Sequence, residues 1–109
     1  MKMSKYGMYA KFTAKPGDRD ALAAILLEAA AAAEPVTECE LYIVNLSDSE
    51  PDVLWVTEVW SHEEAHAASL TLEATRATIQ RAMPLIASVE PVRLTPVGGK
   101  GLAFDSTEG

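Results

Sequence analysis

A chain of 109 residues with 49% hydrophobic side chains has room for one packed domain and no second core. Its formal net charge is −7 and its lysines and arginines are scattered, which excludes the basic footprint that a nucleic-acid duplex or an anionic membrane surface demands. The single cysteine, Cys39, excludes an internal disulfide and fits a reducing compartment, and no apolar run is long enough to span a bilayer.

The opening "MKMSKYGMYAKF" carries basic residues but no apolar h-region, so it does not read as a signal peptide, and a cytoplasmic domain is expected. "KYGMYAKFTA" alternates in the manner of a strand, with Tyr6, Met8, Ala10 and Phe12 on one face and Gly7, Tyr9, Lys11 and Thr13 on the other. Pro16 and Gly17 form a turn, and Asp18 is a helix N-cap for "RDALAAILLEAAAAAE". In that helix Leu22, Ile25, Leu26, Ala29 and Ala33 recur at helical spacing, and the alanine run reads as a structural surface for close packing. Pro35 ends it.

"CELYIVNL" is the second strand, with Cys39, Leu41 and Ile43 opposed to Glu40, Tyr42 and Val44. The turn cluster "SDSEPD" makes a hairpin with "VLWVTEVW". A helical pattern then runs from Ser61 to about Ile86, interrupted near "SLT", where Thr71 can cap a second piece. Pro84 should kink or end that piece. "VEPVRLTPV" supplies a last strand whose prolines indicate a sheet edge.

The order is β-α-β-β-α-β, the split arrangement of a ferredoxin-like α+β fold with a four-stranded antiparallel sheet and both helices on one face. This domain is expected over residues 1–97. Residues 98–109 form a tail of flexible composition, with Leu102 and Phe104 available as anchors on a neighbouring subunit. Aliphatic residues occur on both faces of the middle strands, so the face without helices needs a cover. The same face of a second copy would supply it, and a homodimer is expected.

"SHEEAH" contains His62-Glu63-x-x-His66, the pattern of a zinc protease helix. Ser61-x-x-Glu64, however, is also a capping box, which makes His62 the first helical residue and the pattern an accident of helix initiation. A zincin also needs a third ligand, and the chain has only two histidines. No metal site is expected. On the helix His62, Ala65, His66 and Ser69 share one side, so His66 is either a histidine hydrogen-bonded at the helix–sheet seam or an acid–base group.

Arg76 falls among Leu72, Ile79 and Met83 on the apolar stripe of the last helix, whereas Arg81 points the other way. A guanidinium there either snorkels to the rim or meets an anion. Glu58 shares strand parity with Val56 and Trp60, and a buried glutamate wants a partner, for which Arg76 or His66 would serve. Trp60 and Tyr42 are amphipathic walls of either a core or a site.

In the order and spacing of "YAKFTAKPGDRDAL", "CELYIV", "WVTEVWSHEEAHAASL", "RAMPLIA" and "LTPVGGKG", residues from about Tyr6 to Leu102 resemble the antibiotic biosynthesis monooxygenase family. The resemblance implies a dimeric α+β barrel with a pocket between helices and sheet in each subunit. It also implies oxidation of phenols or quinols by dioxygen without flavin or metal. Tyr42, Glu58 and Trp60 fall on positions commonly retained in the family. Ser69 stands where many members carry a histidine, and His66 lies three residues earlier. Met8, Ser69 and Ile79 occupy the places where the haem-degrading branch needs asparagine, tryptophan and histidine, so haem degradation is not expected.

Two functions of different class remain. The first is a cofactor-independent monooxygenase acting on a small aromatic substrate and dioxygen, with His66 as base and Arg76 stabilising phenolate. Its substrate-binding set is Tyr6, Met8, Tyr42, Glu58, Trp60, Ser69 and Met83. The second is a non-catalytic dimeric protein that holds an apolar metabolite in the same pocket. A polar pair converging in the pocket favours the first.

Overall fold

The computed structural model describes residues 4–102. Strand β1 (Tyr6–Ala14) leads through a Pro16–Gly17 turn into helix α1 (Arg19–Ala33), and the left-handed φ of +82° at Gly17 is the conformation that glycine adopts without strain. Strands β2 (Cys39–Leu46) and β3 (Val53–Trp60) follow as a hairpin. Helix α2 (Glu63–Ser69), helix α3 (Glu73–Ala82), a 3-10 turn at Met83–Leu85 and strand β4 (Ile86–Leu94) complete the described fold. The sheet order is β2-β3-β1-β4 with every pair antiparallel, a ferredoxin-like α+β domain. β4 lies at the edge, where its Pro91 costs no ladder hydrogen bond. Pro84 sits in the 3-10 turn that closes α3.

Alternation decides the two faces. Tyr6, Met8, Ala10 and Phe12 of β1 stand beside Trp60, Glu58, Val56 and Leu54 of β3 on the side that carries the helices. The core is built there from Leu22, Ile25 and Leu26 of α1 against Leu54, Val56, Ala14 and Ala82, all buried. On the other face Tyr9, Ile43, Val92 and Leu94 remain largely exposed. Lys11 lies with its ammonium 5.9 Å from the centre of the Trp55 ring, covering part of that apolar surface with its stem.

Four local expectations are corrected. Asp18 occupies the N-cap position of α1, but its side chain makes no capping hydrogen bond. Thr71 does not cap α3: Leu72 holds that position, and the Thr71 hydroxyl instead donates to the Ala68 carbonyl at 2.7 Å. The register shifts between Cys39 and Leu41, so Cys39 pairs with Trp60 and shares a face with Tyr42 rather than with Leu41 and Ile43. In α3 the less exposed positions are Thr75, Thr78 and Ala82, while Leu72, Arg76, Ile79 and Met83 are exposed, about a quarter turn away. The cause is the neighbour. α3 packs against α1, where the Arg81 guanidinium holds Glu28 in a two-bond pair (2.7 and 3.2 Å), and small side chains suit close approach to an alanine-rich helix. Leu102 is half-buried, and the expected anchor Phe104 lies outside the described residues.

Candidate functional site

The start of α2 is organised by an ionic clasp beneath it. The Lys5 ammonium donates to both carboxylate oxygens of Glu40 at 2.7 Å, and the Ser61 hydroxyl donates to the same carboxylate at 2.8 Å. Ser61 is thereby taken out of the capping box. His62 becomes the N-cap in extended conformation, and its Nδ1 accepts the Ala65 amide at 3.2 Å. A nitrogen that accepts carries no proton, so Glu64, 3.4 Å away, gains no ion pair from it. With His62 outside the helix, the two histidines lack the within-helix geometry that HExxH requires. Among the described residues no three metal-ligating side chains converge.

His66, one turn into α2, is carried down onto the sheet. Its ring stacks on Tyr6 with centroids 4.6 Å apart and meets Trp60 edge-on at 5.5 Å. Its Nε2 stands 4.0 Å from Glu58 Oε1, and the same oxygen accepts the indole N–H of Trp60 at 3.0 Å. Both members of the pair are largely enclosed, with side-chain exposures of 17% for His66 and 15% for Glu58. β3 alternation places the carboxylate here: Glu58 and Trp60 are two apart on one face, opposite Met8 and Tyr6. The Ser69 hydroxyl turns back to the His66 carbonyl at 2.6 Å, closing the end of α2.

Glu58 also faces Tyr42, its register partner on β2, and Cys39 beyond. Burial, then the Glu58 charge, drives the Tyr42 hydroxyl well above its ordinary value. Burial first and Glu58 second push the Cys39 thiol up to about 11, against a weaker downward pull from hydrogen bonding with the Leu41 backbone. Burial likewise raises Tyr6, opposed by the Arg93 guanidinium. Cys39 and Tyr42 line a small cavity of about 140 Å³ with Ala30, Ala33, Glu34 and Glu40, at the end of α1. A thiol so poorly ionised is expected to be alkylated by iodoacetamide at pH 8 roughly one to two orders of magnitude more slowly than free cysteine, which a mass-spectrometric time course measures.

The sign of the pH dependence follows. Cys39 and Tyr42 hold their protons in the folded protein past their ordinary values of 9.0 and 10.0. The unfolded chain ionises first, so this stability is complete below pH 9 and is lost as pH rises toward the folded values. The slope is at most about 1.4 kcal/mol per pH unit for each group. Urea midpoints between pH 8 and 11.5 are expected to fall in the wild type and to fall less steeply above pH 10 in Tyr42→Phe.

The structure thus brings His66, Glu58, Trp60 and Tyr6 into contact, with Met8 and Tyr42 opposite Glu58 on the neighbouring strands. Ser69 is adjacent through the helix end. Arg76 and Met83 are corrected: both are exposed, Met83 at 63%, and the Arg76 guanidinium has no ion pair or hydrogen bond among the described residues. They fall on the outer ridge of α3 because the small-residue side of that helix faces α1. Two contributors are not among the expected site residues. Arg93 of β4 lies 4.8 Å over the Tyr6 ring, and Glu63 pairs with Arg93 through two bonds of 2.9 and 3.0 Å. Strand parity held the signal, since Arg93 pairs with Met8 and so belongs to the helix side of the sheet.

A split βαββαβ sheet whose helix side closes over a histidine, a carboxylate and two aromatic rings defines a ferredoxin-like α+β domain with one aromatic-lined polar cluster. Residues 6–81 match the family model described as antibiotic biosynthesis monooxygenase, and the chain belongs to that family. A solved structure of a candidate antibiotic biosynthesis monooxygenase from Chloroflexus aurantiacus J-10-fl is 42% identical, with a TM-score of 0.83, covering 92% of this chain and 100% of that one. A second such candidate, from Caulobacter crescentus CB15, shares the fold at 19% identity with a TM-score of 0.82, covering 88% of this chain and 92% of that one. A Bacteroides thetaiotaomicron protein of unknown function, described as a possible oxidoreductase, shares it at 16% identity and a TM-score of 0.78, covering 84% and 97%. No curated protein matches the chain.

Proposed function

We infer that this protein is a cofactor-independent monooxygenase that oxidises a phenolic or quinol-type aromatic molecule with dioxygen, working as a cytoplasmic homodimer. The observation that carries this reading is the His66–Glu58 pair set against the Tyr6 and Trp60 rings. An imidazole beside a carboxylate can take a phenol proton, and the carboxylate then steadies the imidazolium. The Tyr6 and Trp60 rings, 6% and 4% exposed, wall the pair and keep water from it. An electron-rich phenolate supplies the electrons itself. In the oxidation of a ring methylene to a carbonyl, one dioxygen atom enters the product and the other leaves as water with the two substrate hydrogens. Arg76 has no part in this reading.

The exposed Tyr9, Ile43, Val92 and Leu94 on the helix-free face support the homodimer, since a pleated apolar surface of this kind calls for a cover. The test is oxygen uptake by metal-stripped protein with a panel of hydroquinones and anthrones, product mass being followed with labelled dioxygen. One labelled atom per product molecule is expected. Ligand-induced rises in melting temperature without uptake across the panel would replace this reading with that of a binding protein.

A further inference from the structure

The Arg93 guanidinium is an unexpected group to find against an aromatic cluster in so acidic a chain. It rises from the edge strand on the helix side, opposite Met8, and lies 4.8 Å over Tyr6, which in turn stacks on His66. Guanidinium, phenol ring and imidazole therefore form a continuous ladder from the surface down to Glu58. Arg93 lies beyond residues 6–81, the part of the chain that matches the family model.

We propose that Arg93 is a specificity-determining residue that anchors a carboxylate carried by the aromatic substrate, exchanging Glu63 for the ligand's own carboxylate. This rests on the reading that the Tyr6–His66–Trp60 cluster receives an aromatic molecule. Three features converge on it. The two parallel bonds to Glu63 show that the guanidinium already presents the fork that a carboxylate fits. Its position is held by the Tyr6 ring, so the fork is preorganised before a ligand arrives. The Glu63 partner is replaceable: both side chains are more than half exposed, and an exposed pair of this kind contributes little and is screened by salt. Glu63 stands in the first turn of α2 and can swing into solvent without disturbing the sheet.

The charges that face the ladder favour an acid only through Arg93. Glu58 and Glu63 both repel an incoming anion, and Lys5 is engaged with Glu40 on the other side of Trp60's strand end. A neutral aromatic would leave the Arg93–Glu63 pair closed across the edge of the cluster. An aromatic acid opens it.

The probes are naphthalene-2-carboxylate and its neutral counterpart naphthalene-2-carboxamide, matched in ring and size, titrated calorimetrically into the full chain at low salt. Wild-type protein is expected to bind the carboxylate at least tenfold more tightly. Arg93→Gln should abolish that preference, and Glu63→Gln should raise carboxylate affinity severalfold by removing the internal competitor. Both variants change an exposed pair, and their thermal melts check that the fold is retained. Equal affinity for the two probes, binding of neither, or a preference that survives in Arg93→Gln overturns the assignment. Oxygen uptake separates the two proposals. Turnover of neutral quinols without a carboxylate preference keeps the monooxygenase and discards the anchor; a preference lost in Arg93→Gln without any uptake does the reverse.

Discussion

Replacement of His66 by alanine is expected to slow oxygen uptake roughly 10²- to 10⁴-fold, the usual contribution of a positioned proton acceptor. The loss should fall on kcat, because taking the phenol proton is the step assigned to His66. The effect should shrink as pH is raised toward the substrate's own phenol pKa, where a phenolate arrives already formed and needs no base. His66→Gln separates chemistry from packing. It fills much of the same space between Tyr6 and Trp60 and can bond to Glu58, yet it accepts no proton. Unaltered turnover in both variants, measured with an oxygen electrode over pH 6 to 10, would remove His66 from the mechanism.

The largest effect on stability is expected at Leu22. This residue is 0% exposed and lies where α1 meets Leu54 and Val56 of the sheet. Truncation to alanine removes buried apolar surface and leaves a hole that the flanking Ile25 and Leu26 cannot fill, a change that costs about 2–5 kcal/mol. A domain of this size is held by about 5–15 kcal/mol in all, so the variant would be marginal. At about 4–8 °C per kcal/mol for domains near 100 residues, its melting temperature should drop by about 8 °C or more. Leu27→Ala, on the same helix but 56% exposed, is the internal control and should stay within about half a kcal/mol of wild type. Differential scanning calorimetry of the pair checks both. Equal shifts would mean that α1 is seated differently.

The architecture was legible because period-two alternation and turn chemistry agree along most of the chain. Tyr6, Met8, Ala10 and Phe12 share the helix face as their spacing requires, and the prolines of the last strand do mark an edge. Within the site, the proximity of His66, Glu58, Trp60 and Tyr6 was legible from strand parity joined to helical spacing. Three features were not, each because a local rule met a tertiary competitor. One register shift beside Glu40 moves Cys39 to the face of Tyr42, and alternation carries no mark of an inserted residue. Ser61 has the sequence of a capping residue, but Glu40, twenty-one positions earlier, offers its hydroxyl a charged acceptor, so His62 caps instead. The stripe of Leu72, Ile79 and Met83 looks like a core because hydrophobicity was read without regard to size. α3 meets α1 through Ala82, buried in the cluster of Leu22, Ile25 and Leu26, and through the Arg81–Glu28 pair, which turns the Leu72, Ile79 and Met83 side outward.

The clasp of Lys5, Glu40 and Ser61 has a practical bearing. It fastens the extreme amino-terminal part of the described fold to the segment from which α2 departs, and α2 is what lowers the imidazole onto its carboxylate. Removing the leading residues through Lys5 would strip Glu40 of that counter-ion and loosen the root of the helix. Such a preparation is expected to hold the His66 imidazole less firmly beside Glu58, although the core between α1 and the sheet is untouched.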